Sequence, residues 1–449
     1  MSKRENGMQT PSQEDFFITN SSKICILNKK EMDVEIAQFI DAAKRDNYDL
    51  AISSELSFYN SFVKAGESLG NWFYWLSETY QTKKMLDGRF KDMRNTLSLS
   101  IPIQNVSFDV CIIFHNYSGL AHEQVMARVI RCLTSHNPDL KVLVVYIFGA
   151  SSATSLARNT WLAPNVCFAF LEARTYTGAF EKLGFLLRKH HPKNIIYPSL
   201  WFLAYWCSNF LDHSSQKFIV MKYPPPELGN LSAFAAGIPV PPYFKSCVNW
   251  RRLPPAPHPV RKRRKVTGDN FVNIGSISRV EKQLSPEYSA FIFNTLEENL
   301  SLRYLYTARE SELGLLPQWL KTHPRTKFLG WVDPSDAIDS FDIYLETFPW
   351  GGGDMSYLAI SRKIPYIALE TFESKFLGVV PHVQHKFRLS GDSQSGVENN
   401  LQDLNKLINE LTASPELRSQ LGAKQFEVVF GADGGESSFT EEWGSFLLS

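Results

Sequence analysis

The sequence predicts an α/β protein made of two tandem parallel-sheet domains, and three observations carry this. Continuous apolar runs, as strands buried on both faces require, alternate with segments of helical period. The alternation occurs twice, over residues 106–250 and again over 268–430. Between them, residues 251–267 are proline-rich and basic, the composition of a stiff linker. A chain of 449 residues is also long enough for two or three domains.

The elements follow in order. Residues 1–20 are polar, carry Lys3, Arg4, Glu5 and Glu14, and lack the apolar core of a signal peptide, so a disordered N-terminus is expected. Residues 21–105 predict a mostly helical region. Met32, Ile36, Phe39, Ile40 and Ala43 recur at the helical period over 31–44, and a second helix is expected from Phe62 to Leu86. The first α/β domain opens with the run Asp109–Phe114 and a helix from about His122 to Leu133. Strands at 141–148, 166–171, 194–197 and 218–221 follow, with helices at 178–190 and 201–211. After the linker, strands are expected at 271–274, 302–306, 327–329, 342–345 and 365–369. Helices are expected at 286–298, 401–411 and 415–426. In a tail at 431–449, Phe439, Trp443 and Phe446 are spaced to dock on something.

Composition narrows the function. A net charge of +1 leaves no global field to favour nucleic acid. The run Arg261–Lys265 is locally basic and could serve as a nucleic-acid or nuclear-import patch, but the balance of the rest favours a solvated linker. No apolar run reaches the length of a membrane span. The 6 cysteines are scattered without a CxxC pair, which suits reduced thiols and a cytoplasmic protein.

Ligands of parallel sheets bind beyond the carboxyl ends of the strands, so three strand-end segments are the candidates. The most informative is Tyr344–Leu358, where an apolar run ends in Gly351, Gly352 and Gly353 before a helical pattern that starts with Met355, Leu358 and Ala359. Glycines let the backbone approach a ligand, and a helix N-terminus offers N–H groups and partial positive charge to a diphosphate. An ordinary strand-to-helix turn fits the same residues. The second segment, Gly275–Lys282, sets Arg279 and Lys282 three apart, either as phosphate ligands or as a solvated surface pair. The third, Phe114–His122, brings His115 and His122 to a strand end and helix start, as a general base near neutrality or as structural histidines. A P-loop, a metal-holding Asp-x-Asp, a zinc-spaced His/Cys cluster, a Gly-x-Ser-x-Gly elbow and a clean GxGxxG are all absent.

Together these segments resemble the GT-B glycosyltransferases over roughly residues 106–430. They are most similar to the branch holding the bacterial cytoplasmic N-glycosyltransferases of high-molecular-weight adhesins and the O-GlcNAc transferase catalytic region. His122 fits the second histidine of the family's first-domain loop. Ile195–Ser199 and Phe218–Pro224 resemble a later strand end and turn, with Lys222 and Tyr223 where the family has glycine and a ring residue. Lys282 fits the family's diphosphate-gripping lysine, and Arg279 replaces a Gln or Thr. Phe348–Gly351 matches the family's donor turn. Asp354 stands in place of an Asn, and Leu358 in place of the Asp that holds the donor ribose. Trp331 and Val332 lie near the family's nucleobase loop, where the indole could stack on uracil.

The resemblance implies two Rossmann-like domains with a cleft between them, preceded by the small helical region. It implies metal-independent, inverting transfer of a hexose from a UDP-sugar, with no metal or cofactor beyond that donor substrate and with a protein side chain as acceptor. His122 and His115 would be catalytic. Arg279, Lys282, Trp331, Val332, Gly351, Gly352, Gly353, Asp354, Met355 and Ser356 would hold the donor, and Ser199, Lys222 and Tyr223 would line the acceptor side. Two alternatives remain: a glycan, lipid, small molecule or modified nucleic-acid base as acceptor, and a GT-B-like binding protein without catalysis.

Overall fold

A computed structural model of the chain describes residues 29–64, 75, 78–79, 81–90, 107–116, 121–198, 201–211, 213–220, 231–236, 250–255, 258, 270–349, 351, 353–371, 374, 380–392, 394–431 and 436–449. Ser199, Lys222, Tyr223 and Gly352 lie outside these residues, as do the expected disordered N-terminus and most of the linker. The chain divides into two compact units. The first takes the described residues up to 236, then 250–253 and 443–449; the second takes those of 254–442.

The first unit begins with two helices, α1 (Lys29–Lys44) and α2 (Tyr48–Lys64). Helical residues 81–90 follow. The helix Tyr48–Lys64 was not foreseen, because the polar residues around Ala51, Ile52 and Phe58 obscure its buried face. Of the helix expected from Phe62 to Leu86, residues 62–64 and 81–86 are helical, and most of those between lie outside the described residues. A seven-stranded sheet follows: β1 (Phe108–Phe114), β2 (Val142–Tyr146), β3 (Val166–Phe170), β4 (Pro192–Pro198), β5 (Gln216–Val220), β6 (Ala233–Ala236) and β7 (Trp250–Arg252). Every pairing is parallel, in the order β3-β2-β1-β4-β5-β6-β7. Helices α3 (Ala121–His136), α4 (Tyr176–His190) and α5 (Trp201–Phe210) connect its strands. β6 and β7 were not foreseen; at four and three residues they are too short for a period to show.

A buried ion pair ties the N-terminal helices to this sheet unit. Lys83 donates to Glu55 of α2, the Trp206 indole of α5 donates to the same carboxylate at 2.5 Å, and Tyr205 donates to the Lys83 carbonyl at 2.9 Å. Burial lowers the Lys83 pKa, and Glu55 works against that shift.

In the second unit β8 (Val272–Ser276), β9 (Leu302–Tyr306), β10 (Thr326–Phe328), β11 (Ile343–Leu345), β12 (Tyr366–Leu369) and β13 (Val397–Glu398) form a parallel sheet in the order β10-β9-β8-β11-β12-β13. Successive strand residues alternate between two cores. Ile343, Leu345, Ile367 and Leu369 enter one core, while Tyr344, Tyr366 and Ala368 enter the other. Helices cover both faces, which is why the central strands β11 and β12 read as unbroken apolar runs. They are α6 (Val280–Gln283), α7 (Pro286–Glu298), α8 (Asp354–Ser361), α9 (Val380–Ser390), α10 (Leu401–Ala413) and α11 (Pro415–Phe430). Side-chain caps start three of them: Ser285, Asn400 and Ser414 accept from Tyr288, Asp403 and Leu417.

A last helix, α12 (Glu436–Leu448), buries Phe439, Trp443, Phe446 and Leu447. Within the first unit its final turn is held by cations, as a helix C-terminus favours. Lys217 donates to the Phe446 carbonyl at 2.7 Å, Lys193 to the Leu448 carbonyl at 2.9 Å and Arg251 to the Ser445 hydroxyl at 2.9 Å.

Candidate functional site

Both sheets reverse direction of strand order at one seam, β1/β4 in the first unit and β8/β11 in the second. Crevices outside the carboxyl ends of strands form at such seams. Lys282 and the glycine turn flank the second seam, and His115 closes the β1 side of the first.

In the second unit, β8 gives way to a short loop and α6, which carries Lys282. The helix is fixed by buried Gln283, whose amide donates to the carbonyls of Ser278 at 3.2 Å and Thr307 at 2.8 Å. Lys282 thereby reaches across the seam, and its ammonium donates to the Gly351 carbonyl. Arg279, three residues earlier, stands at the exposed N-cap of α6.

The glycine turn has a physical reason at two positions. Gly353 sits at the N-cap of α8 with φ +59°, a left-handed conformation that disfavours side chains. A Cβ on Gly351 would fall inside the Glu346 carboxylate. Glu346, the residue after β11, is 3 % exposed and accepts from the Ser356 hydroxyl. Burial above all, then the Glu346 charge, raises the pKa of Tyr344 and Tyr366 well above the phenol range, so both stay protonated around it. Ser356 is thus turned beneath the turn, and its N–H donates to the Gly353 carbonyl at 3.2 Å. Asp354, first residue of α8, lies 3.1 Å from the Nε2 of buried His258. Met355 packs on the core with Val332, and Leu358 is buried in that core with Tyr344. Trp331 is 55 % exposed, and the Arg309 guanidinium lies over its indole at 4.7 Å.

In the first unit, His115 follows the last residue of β1. Its Nε2 is 3.0 Å from the Tyr176 hydroxyl, and its ring packs on Phe148 with centroids 4.9 Å apart. Burial lowers its pKa, which favours the neutral imidazole. His122 is half-buried in the first turn of α3. Its neighbour Glu123 is buried and accepts from the Tyr146 hydroxyl, and the Trp161 indole donates to that hydroxyl at 3.1 Å, which anchors the start of α3.

Several of these residues escaped the sequence reading. Glu346 carried a signal, a carboxylate ending an apolar strand, that was not used. Arg309 follows β9 as an unremarkable surface charge, and His258 lies in a proline-rich stretch where nothing marks it. Among the described residues, no group of three or more His, Cys, Asp or Glu is placed to hold a metal ion. Among the same residues, no helix is long and apolar enough to cross a membrane.

No protein-family model matches the chain, and no curated protein matches its sequence. Solved structures do match. A mutant O-GlcNAc transferase of Thermobaculum terrenum is 12 % identical with a TM-score of 0.57, covering 100 % of this chain and 99 % of its own. TarM is 8 % identical with a TM-score of 0.57, covering 76 % and 98 %. WaaG, a glycosyltransferase involved in lipopolysaccharide biosynthesis, is 9 % identical with a TM-score of 0.51, covering 75 % and 98 %. At such identities the likeness establishes architecture, and the architecture is GT-B: two parallel-sheet α/β units preceded by a short helical region.

Proposed function

We propose that the protein is a metal-independent, inverting glycosyltransferase that moves a hexose from a UDP-sugar to a protein side chain in the cytoplasm. The observation that carries this reading is the approach of Lys282 to Gly351 across the β8/β11 seam, beside the N-terminus of α8. An ammonium and a helix N-terminus converging on a glycine turn suit a diphosphate.

In the proposed reaction an acceptor oxygen or nitrogen attacks the anomeric carbon from the face opposite the leaving group. The bond from that carbon to the diphosphate oxygen breaks, and its electron pair stays with UDP. Lys282, the α8 N-terminus and Arg279 neutralise the charge that gathers there. His122 takes the acceptor proton, and neutral His115 orients the acceptor. Trp331, backed by Arg309, offers a face for the uracil. With Leu358 in the core, the ribose hydroxyls depend on other groups, and Asp354 is the carboxylate that α8 offers.

The test is a thermal-shift screen against UDP-, GDP-, dTDP- and CMP-sugars, since a ligand bound only by the native state raises the melting temperature. A rise with UDP-sugars supports the reading, and no rise with any of them overturns it. Proton NMR of the product's anomeric configuration tests inversion. Offering peptide, glycan and small-molecule acceptors in parallel tests the acceptor class.

A further inference from the structure

We propose that Asp49 and Tyr176 are positioning residues for His115, so that the N-terminal helical region sets the orientation of a ring in the reaction site. The inference rests on the proposed role of His115 on the acceptor side. Asp49 lies on α2, yet its carboxylate caps α4. Oδ1 accepts from the N–H groups of Tyr176 at 2.6 Å and Thr177 at 3.0 Å, and Oδ2 from the Thr177 hydroxyl at 2.7 Å. A carboxylate at a helix N-terminus meets both unpaired donors and the positive end of the helix. The helix's own cap, Thr175, is left to accept from Gly178 at 3.2 Å. Asp49 therefore fixes the backbone at the residue that touches the histidine.

From there the chain of contacts is short. The Tyr176 ring stands edge-on to Phe148 with centroids 4.8 Å apart, and its hydroxyl reaches His115 Nε2 at 3.0 Å. Phe148 packs on the same imidazole and donates its backbone N–H to the His115 carbonyl at 2.9 Å. A neutral imidazole has one N–H and one lone pair, and a phenol can pair with either. We take the Tyr176 hydroxyl as the donor to Nε2, which leaves the ring proton on Nδ1. Tyr176 stays a phenol, because burial first and the charges of Glu55 and Asp49 after it raise its pKa.

The test uses the full-length protein at pH 8, with imidazole nitrogen shifts and transfer kinetics measured on the same variants. The wild type is expected to show a single His115 tautomer. Tyr176→Phe is expected to show a mixture, with kcat lowered about tenfold, one hydrogen bond's worth, and donor KM unchanged. Asp49→Asn, which keeps an acceptor for the two N–H groups, should retain the tautomer, and Asp49→Ala should lose it while a thermal melt confirms folding. Unchanged imidazole shifts in Tyr176→Phe overturn the inference whatever the protein catalyses. Shifts that move while transfer stays at the wild-type rate support the positioning and instead remove His115 from the reaction.

Discussion

The carboxylate of Glu346 occupies the space beside the Gly351 Cα where any side chain would stand. The neighbour beneath it is by itself a reason for a glycine here. Gly351→Ala must displace Glu346 from its Ser356 partner, an overpacking cost of about 1–3 kcal/mol. Urea unfolding should show that loss together with weaker UDP binding by calorimetry. Unaltered stability would mean that the carboxylate has room to move.

Lys282→Ala removes one cation from a half-buried position. Transfer is expected to fall by about 10²–10³, the effect of deleting one preorganised donor, with the melting temperature within a few degrees of wild type. Turnover unchanged in this variant would rule out the glycine turn as the donor diphosphate site.

His122→Ala is expected to keep UDP binding and lose about 10²–10⁴ in transfer. Titration calorimetry with UDP and a product assay separate the two effects. Loss of both to the same extent would make His122 a structural residue at the start of α3.

Removing one partner of the Glu55–Lys83 pair leaves the other charge buried. Glu55→Ala should cost about 3–5 kcal/mol in urea unfolding, while replacing both by apolar residues of similar size should cost far less. Equal losses in the single and double variants would show that the pair contributes only through packing.

Lys217 has a pKa lowered to about 8, through burial first and then the charges of Arg251 and Lys193. Its ordinary value is 10.5, so between these two values the unfolded chain binds the proton that the folded chain has released. The lysine's contribution to stability should therefore rise with pH through that window and be least favourable below it. Urea unfolding at pH 7 and pH 10, compared between wild type and Lys217→Met, measures it; a difference independent of pH would contradict the shift.

The double-wound architecture was legible because strands buried on both faces cannot avoid continuous apolar runs. The runs Val110–Phe114 and Tyr366–Leu369 announce themselves in this way. Ser285-Pro286 and Ser414-Pro415 likewise announce the helices they cap. β6 and β7 were illegible because three or four residues carry no period. The candidate site was legible wherever local sequence makes it, as in the run from Gly351 to Ser356. It was illegible where distant segments meet. Nothing near Asp49 points to Tyr176, which lies 127 residues away, and nothing in the linker marks His258 as the partner of Asp354.

The first unit closes on residues 443–449, which the chain reaches only after the whole of 254–442. On a ribosome adding about 5–20 residues per second, the second unit takes roughly 10–40 s to emerge. Throughout that interval the places of Trp443 and Phe446 in the first unit stay unfilled. Lys193, Lys217 and Arg251 wait for their carbonyl and hydroxyl partners over the same period. The nascent first unit is thus an incomplete body when the second begins to fold, and a cut at the linker would strand it permanently in that state. Supplying residues 436–449 as a separate peptide to a fragment ending at 253 would convert this order of synthesis into a measurable complementation.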